Sequence, residues 1–260
     1  MTTASMETAT TDITLSAPVN LRDLGGIPID GGVLREGLAI RTDDLAYVTS
    51  DVVDELVDAG LTAIIDLRSP AEVAATGRGP FGERALGYHH LPLIANVADS
   101  MAEDAPDLSH EGMGKMYVRM VETAAPQLVT ALNVIAYTPG ATAFHCAAGR
   151  DRTGVLAAML LLVLGADDDD IVADYTRTGE NMIAIMQRTA PVMSAMWRAL
   201  GFEPDARQAS SKLLEGSMEV SMRSLLTTLR ERHGDALAPL RAAGLSEDTI
   251  ARLRERALAA

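Results

Sequence analysis

One stretch of the sequence places a cysteine between an apolar segment and a helical pattern, ATAFHCAAGRDRTGVLAAML at residues 141–160. Cys146 is the only cysteine of the chain, and Arg152 follows it after five residues. Ligands of helix-flanked sheets bind beyond the carboxyl ends of the strands, and a strand ATAFH would deliver Cys146 to such an edge. Residues 146–152, called the cysteine loop below, are therefore the first candidate for chemistry.

The cysteine loop has the features of an oxyanion site. A tight loop of this length turns successive backbone N–H groups inward, and the positive end of the following helix points at the same spot. Arg152 can add two parallel hydrogen bonds to a tetrahedral anion, and Gly149 permits a backbone geometry that a side chain would forbid. The same dipoles and charge favour the thiolate form of Cys146. The pattern predicts a nucleophilic sulfur inside an anion-binding loop.

Neighbouring residues are expected to assist that sulfur. The hydroxyl of Thr153 could donate to it and help it leave, and His145 could fix the loop through its ring nitrogens. The residues expected to line the anion are Ala147, Ala148, Gly149, Arg150 and Thr153.

Two carboxylates compete for the role of general acid. Asp151 lies inside the cysteine loop, and Asp66 ends the strand pattern LTAIIDL at what would be the same sheet edge. The arginines on either side of Asp151 favour its ionised form, which weakens an acid at neutral pH, whereas a bound phosphate dianion has the opposite effect. The residues alone leave both candidates open.

Strand and helix patterns alternate along the first two thirds of the chain. Ser69, Pro70 and Glu72 have the spacing of a capping box at a helix start. The other predicted elements are two short strands around Asp30–Gly32, strands GLAIR, LTAIIDL, YHHLPL and ATAFH, and helices over Asp51–Ala59, Gly112–Tyr137 with a break before Pro126, and Thr153–Leu164. Such alternation is typical of an α/β fold with a parallel or mixed sheet between helices.

The last 90 residues are expected to be all-helical. Met222, Leu225, Leu226 and Leu229 recur with helical spacing, and Ser246 is a candidate N-cap. We interpret residues 1–12 as a flexible tail and residues 13–260 as one domain, in which 176–215 are a candidate helical lid. Met182, Met186, Met193, Met196 and Trp197 would either fill a helical core or form the soft apolar face of that lid. Ala190-Pro191 is expected to separate two short helices.

Composition excludes several classes of function. A net charge of −14 argues against binding to nucleic acid or to an anionic membrane surface. A single cysteine forms no internal disulfide, no secretory signal is evident, and no apolar run is long enough to span a bilayer, so we expect a cytoplasmic protein. His89-His90 and the run DDDD at 167–170 lack the spacing of metal ligands, and we expect neither metal nor cofactor.

Four motifs in order resemble the bacterial tyrosine phosphatases of the protein-tyrosine-phosphatase superfamily. They are NLRDLGG at 20–26, IIDLRSPAE at 64–72, HCAAGRDRTG at 145–154 and DIVADY at 170–175. The resemblance implies a two-step dephosphorylation through a cysteinyl-phosphate, without a metal. It implies that Asp151 rather than Asp66 is the acid, because the family places the acid in the loop. It also implies activity on phosphoserine, phosphothreonine or phosphoinositides, and allows export without a cleavable signal.

The sequence departs from the family at Arg150, where a lysine is usual, and a phosphoinositide preference is therefore not expected to carry over. Arg22 and Asp23 are expected to brace the cysteine loop, and Arg68 either to pair with Glu72 or to reach the pocket. The expected partner is a phosphorylated protein or peptide. The alternatives are a phosphoinositide phosphatase with the same loop chemistry and an inactive phosphate-binding module.

Overall fold

The computed structural model describes residues 14–94, 107–199 and 216–259, without the side chains of residues 195–199. Its strands are β1 (Arg22–Asp23), β2 (Pro28–Ile29), β3 (Gly32–Val33), β4 (Ala39–Thr42), β5 (Leu61–Asp66), β6 (Gly87–His90) and β7 (Ala141–His145). Among these residues β2 and β3 form a hairpin, and the others form one sheet in the spatial order β1-β4-β7-β5-β6. Strands β4, β7, β5 and β6 are parallel, and β1 is antiparallel to β4. The mixed sheet is therefore as predicted.

An apolar core covers each face of the sheet. Successive strand residues point to opposite sides, so each central strand contributes to both cores. Ile65 and Phe144 face the larger core, and Ile64 and Ala143 face the smaller one. All four side chains are at most 2% exposed. Central parallel strands that are buried on both sides read as continuous apolar runs, which is the pattern of LTAII and ATAF.

The helices follow the predicted order. They are α1 (Ser50–Asp58), α2 (Pro70–Thr76), α3 (His110–Thr123), α4 (Ala125–Tyr137), α5 (Asp151–Leu164), α6 (Asp168–Thr176), α7 (Thr178–Ala199), α8 (Glu219–His233), α9 (Ala238–Ala242) and α10 (Glu247–Leu258), with 3-10 turns at Leu45–Tyr47 and Gly79–Glu83. Ser69 caps α2 in the predicted capping box, Ser246 caps α10, and Ala124 separates α3 from α4. Met222, Leu225, Leu226 and Leu229 are fully buried on α8.

One local prediction is wrong. Helix α7 continues through Pro191 instead of breaking there. Gln187, whose carbonyl loses its helical partner at the proline, is exposed together with Pro191, so water can satisfy it. Val192 beyond the proline packs on Ala46 and Tyr47, which favours the continued helix. Asp167 is the N-cap residue of α6, although its side chain makes no capping hydrogen bond.

The methionine cluster is only partly described. Met182 is buried in the larger core and Met186 packs against it, which supports core packing for this part of α7. The side chains of Met196 and Trp197, and residues 200–215 of the candidate lid, lie outside the described residues, so the lid stays a prediction. Within the described ranges, no helix has the length and apolarity needed to cross a bilayer, and no group of side chains could hold a metal ion.

Candidate active site

The cysteine loop lies at the carboxyl edge of the central strands. Strand β7 ends at His145 and α5 begins at Asp151, so the loop joins the middle strand to a helix N-terminus. The neighbouring parallel strands β4 and β5 place Thr42 and Asp66 in register with His145. Cys146 is buried, with 2% of its surface exposed. Sheet topology alone thus brings three strand ends around one sulfur.

The carbonyl groups of the cysteine loop are bound from outside the loop. The Asp44 N–H donates to the Ala147 carbonyl at 3.1 Å. The Asn20 amide donates to the carbonyls of Ala148 and Gly149 at 3.4 and 3.1 Å. Since a trans peptide points its C=O and the next N–H in opposite directions, the outward carbonyls turn the following N–H groups toward the interior of the loop.

Gly149 lets the loop pack directly on the end of β4. Its φ of 66° lies in the left-handed region, and a Cβ there would come within 2.4 Å of the Thr42 carbonyl oxygen. Any side chain would therefore combine an unfavourable backbone conformation with a severe clash. This glycine is required by the close approach of two backbones.

A buried ion network supports the outer side of the loop. Arg41 donates to the Gly149 carbonyl at 3.0 Å and also contacts Asp174. Arg22 donates to Asp174 Oδ1 at 2.8 Å and to the Asn20 side chain at 2.7 Å. Burial acts to raise the pKa of Asp174, but the two arginines keep it below its ordinary value. Arg22 therefore reaches the cysteine loop through Asn20, and Asp174 orients both guanidinium groups.

Asp23 does not take part in that network. Its carboxylate accepts hydrogen bonds from the N–H groups of Gly25 and Gly37 at 2.6 and 2.8 Å. The expectation that Asp23 braces the cysteine loop is wrong. The side chain instead fixes two glycine turns beside β1, because adjacent strand residues point to opposite faces.

Arg152 is held by a carboxylate from α2. Its two terminal nitrogens donate to the two oxygens of Glu72 at 2.6 and 2.9 Å. Burial acts to raise the pKa of Glu72, but Arg152 and the Ser69 cap lower it to about 2. A guanidinium has five N–H donors, so this pair fixes its plane and leaves three donors for an anion.

Asp151, next to Arg152, has a different partner. The Tyr117 hydroxyl donates to its Oδ1, and the Arg150 Nε lies 3.6 Å from the same oxygen. The carboxylate is 27% exposed, whereas Arg150 is 1% exposed and lies beside the hydroxyl of Tyr175. The Asp151 side chain is thus partly accessible, and it contacts one neutral and one charged side chain.

Asp66 is in the opposite situation. It is fully buried, and it accepts hydrogen bonds from the Arg68 side chain and from the Tyr88 hydroxyl at 2.7 Å. Burial acts to raise the pKa of Asp66, but His145 and Arg68 bring it well below the ordinary range. A carboxyl that stays ionised in this way is poorly suited to donate a proton.

Arg68 does not pair with Glu72, which was one of its two expected positions. It binds Asp66, Asp44 at 3.0 Å and Thr76 at 2.6 Å, and it does not contact Glu72, which is occupied by Arg152. Asp66 and Arg68 are two residues apart, and their side chains pair with each other.

His145 directly precedes Cys146, and Thr153 directly follows the cysteine loop. The buried His145 ring lies 3.7 Å from the carboxylates of Asp44 and Asp66, and burial lowers its pKa despite these charges. Its Nδ1 is also 3.3 Å from the Cys146 carbonyl, so the ring contacts the loop as expected. The Thr153 hydroxyl is buried and has no hydrogen-bond partner among the described residues, which leaves it free to serve the sulfur or a bound anion.

Several supporting residues were not assigned from the sequence. Asn20 and Asp174 stand inside the motifs NLRDLGG and DIVADY, and the order of these motifs was the available signal. Arg41 lies on β4, the strand beside β7, and Asp44 lies two residues beyond the end of β4. Their position near the carboxyl end of that strand was the signal available for them. Tyr117, in the middle of α3, carried no local signal, because only the packing of helices brings it to the loop.

Comparison with known proteins agrees with this geometry. The model of the tyrosine phosphatase family matches residues 13–259. The triple specificity protein phosphatase PtpB of Mycobacterium tuberculosis is 27% identical over 254 residues, which cover 85% of this chain and 91% of the relative. A tyrosine-protein phosphatase of Nostoc commune is 28% identical over 222 residues, which cover 84% and 73% of the two chains. The chain belongs to the tyrosine phosphatase family.

Proposed function

We propose that the protein hydrolyses phosphotyrosine in proteins through a covalent intermediate on Cys146, with Arg152 binding the phosphate and Asp151 acting as general acid. The observation that carries this proposal is the arrangement of the cysteine loop. Its carbonyls are bound outward, its arginine is fixed by Glu72, and its sulfur lies at the end of a buried strand. Such a preorganised ring of donors stabilises the charge that develops on a transferring phosphoryl group.

In the first step the Cys146 thiolate attacks phosphorus while the bond to the tyrosine oxygen breaks. Asp151 gives its proton to that oxygen, so the leaving group departs as neutral tyrosine. The inward N–H groups and Arg152 bind the equatorial oxygens throughout the step. The products are a cysteinyl-phosphate and an Asp151 carboxylate.

In the second step water attacks the cysteinyl-phosphate. The Asp151 carboxylate accepts a proton from that water, which is the reverse of its first role. The sulfur leaves as a thiolate. The buried hydroxyl of Thr153, the residue after the cysteine loop, donates a hydrogen bond to it. Phosphate is released and the protonated acid is restored.

The burial of Cys146 supports phosphotyrosine as the main substrate. A cysteine that is only 2% exposed favours a long side chain that carries its phosphate away from the peptide backbone. The name of the mycobacterial relative, a triple specificity phosphatase, supports additional activity on phosphoserine and phosphothreonine. Phosphoinositides are less favoured, because Arg150 is buried against Asp151 and Tyr175 and offers no exposed cation for a second phosphate.

The experiment compares wild type with Cys146→Ser on a phosphotyrosine peptide, the matched phosphoserine peptide and a soluble phosphoinositide at equal concentration. Wild type is expected to prefer the phosphotyrosine peptide. The serine variant is expected to lose at least about 10³-fold in kcat, because a hydroxyl lacks the nucleophilicity of a thiolate. Rapid quenching with acid should trap phosphate on wild-type protein only. Equal turnover by both proteins would exclude the covalent route, and absence of turnover by wild type would favour an inactive phosphate-binding module.

A further inference from the structure

The Asp151 carboxylate has one fixed and one open oxygen. Tyr117 donates to Oδ1, and Oδ2 has no hydrogen-bond partner within the part of the chain that the structure describes. Asp151 is the first residue of α5, where an exposed aspartate would ordinarily rotate about its side-chain bonds. The phenol therefore selects one orientation of the carboxylate and leaves Oδ2 to carry an exchangeable proton.

Tyr117 is itself held rigidly. It is fully buried on α3, its ring meets the Tyr175 ring edge to face with centroids 6.1 Å apart, and the two hydroxyls are 2.7 Å apart. Tyr175 in turn packs on the first turn of α5, where a Cβ on Gly154 would lie only 2.9 Å from its ring. Two aromatic rings from different helices thus fix the position of one hydroxyl.

The Asp151 carboxylate, which ends the chain of hydrogen bonds, sets the direction in which the two tyrosine hydroxyls donate. An ionised carboxylate only accepts, so the Tyr117 hydrogen points to Asp151 and the Tyr175 hydrogen points to Tyr117. The Arg150 guanidinium lies beside the Tyr175 oxygen and favours this polarity. Burial raises the pKa of both tyrosines, so both remain neutral donors at physiological pH.

We propose that Tyr117 is a positioning residue for Asp151, supported by Tyr175, and that the pair orients the acid toward the leaving oxygen. This inference rests on the proposed role of Asp151 as general acid. A neutral donor suits a group whose charge changes during the reaction. Oδ1 accepts the same hydrogen bond whether Oδ2 is protonated or not, so the orientation is kept when the proton leaves.

The test uses the dependence of kcat/KM on the leaving group. p-Nitrophenolate departs without a proton, whereas the more basic phenolate of phenyl phosphate needs the acid. Tyr117→Phe keeps the ring and removes the hydroxyl, and it is expected to lower kcat/KM about 10-fold on phenyl phosphate but less than about twofold on p-nitrophenyl phosphate. Competitive inhibition by inorganic phosphate should be unchanged, because the cysteine loop is not altered.

Two further variants keep the test independent of folding effects. Tyr175→Phe removes the donor to Tyr117 without touching Asp151, and it should give the same pattern with a smaller loss. Tyr137→Phe is the matched control, since this tyrosine is 60% exposed at the end of α4 and makes no contact with the loop. Thermal melting of each variant shows whether it is folded.

The outcomes separate this inference from the proposed function. Asp151→Asn, measured beside the tyrosine variants, should lose about 10²-fold on phenyl phosphate and much less on p-nitrophenyl phosphate. If Asp151→Asn shows this pattern but Tyr117→Phe loses equally on both substrates, or loses nothing, the positioning role is overturned alone. If Asp151→Asn also lacks the pattern, both the acid assignment and the positioning role are overturned.

Discussion

Arg152 and Asp151 are adjacent in the cysteine loop and are held in opposite ways. The arginine is bound by both oxygens of an ionised carboxylate, Glu72, which itself belongs to the cap of α2. The aspartate is bound at one oxygen by a neutral phenol, Tyr117, and it is more exposed than Arg152, at 27% against 11%. Arg152 has a counter-charge bound by two hydrogen bonds, whereas the nearest cation to Asp151, the Arg150 guanidinium, lies 3.6 Å away.

The difference matches the work proposed for each residue. A phosphate-binding arginine keeps its charge throughout the reaction, so a permanent carboxylate partner fixes its plane without interfering. A general acid gains and loses a proton, and a tightly bound cation would hold it in the ionised form, as Arg68 does for Asp66. The neutral phenol of Tyr117 contacts Asp151 without adding a further positive charge beside it.

The largest expected effect comes from the arginine side of the comparison. Arg152→Lys keeps the charge but loses the planar fork, and it is expected to lower kcat/KM by about 10²-fold to 10³-fold on every aryl phosphate, irrespective of the leaving group. The control is Arg223→Lys on α8, an exposed arginine whose ion-pair partners are Asp169 and Glu219. A loss confined to basic leaving groups would contradict the division of roles between the two residues.

A smaller effect is expected from the partner of Arg152. Glu72→Gln keeps the shape of the pair and removes its charge, and it should lower kcat/KM about 10-fold with no dependence on the leaving group. Measuring kcat/KM with p-nitrophenyl phosphate and with phenyl phosphate gives both the size of the loss and its dependence on the leaving group.

Glu72 also predicts a dependence of stability on pH. Its pKa is lowered to about 2 in the folded protein, so the stabilisation is present above the unfolded pKa of about 4.3 and is lost as pH falls toward 2. Urea unfolding between pH 6 and 3 should show a steeper loss of stability for wild type than for Glu72→Gln. Parallel curves for the two proteins would show that the pair adds no pH-dependent stability.

The smallest expected effect concerns the tyrosines that support Asp151. Gly154→Ala introduces a Cβ that would meet the Tyr175 ring at 2.9 Å, so the ring must shift away by a few tenths of an ångström. The expected result is a loss of about threefold on phenyl phosphate alone, a fraction of one hydrogen bond. The gain in helix propensity on replacing glycine by alanine, about 1 kcal/mol, offsets the cost of moving the ring. The melting temperature should therefore change little. A loss shared by p-nitrophenyl phosphate would indicate that the whole loop has moved.

The sheet and the cysteine loop were predictable from local sequence because their signals are local. The runs LTAIID and ATAFH identify buried strands, and Ser69-Pro70 with Glu72 identifies a helix start. The spacing of Cys146 and Arg152 predicts an anion-binding loop between the strand ATAFH and the next helix. The order of motifs then gave the family, which the family model confirms.

The partners of the site were less predictable because they are set by packing between distant elements. Glu72 was recognised as a cap, but its second role depends on how α2 lies beside α5. Tyr117 reaches Asp151 across 34 residues, and nothing in the spacing of α3 marks that tyrosine among its buried neighbours. Pro191 shows the converse, since a strong local signal was overridden by burial of Val192.

The buried carboxylate of Asp174 receives arginines from two neighbouring strands, and one of them also holds a carbonyl of the cysteine loop. The shape of the cysteine loop and the packing of the sheet therefore depend on the same buried ion cluster. Vanadate or tungstate bound at the cysteine loop would bind the folded state and not the unfolded chain, so it should raise the melting temperature of the protein. Calorimetry could thus rank inhibitors of this enzyme before any physiological substrate is identified.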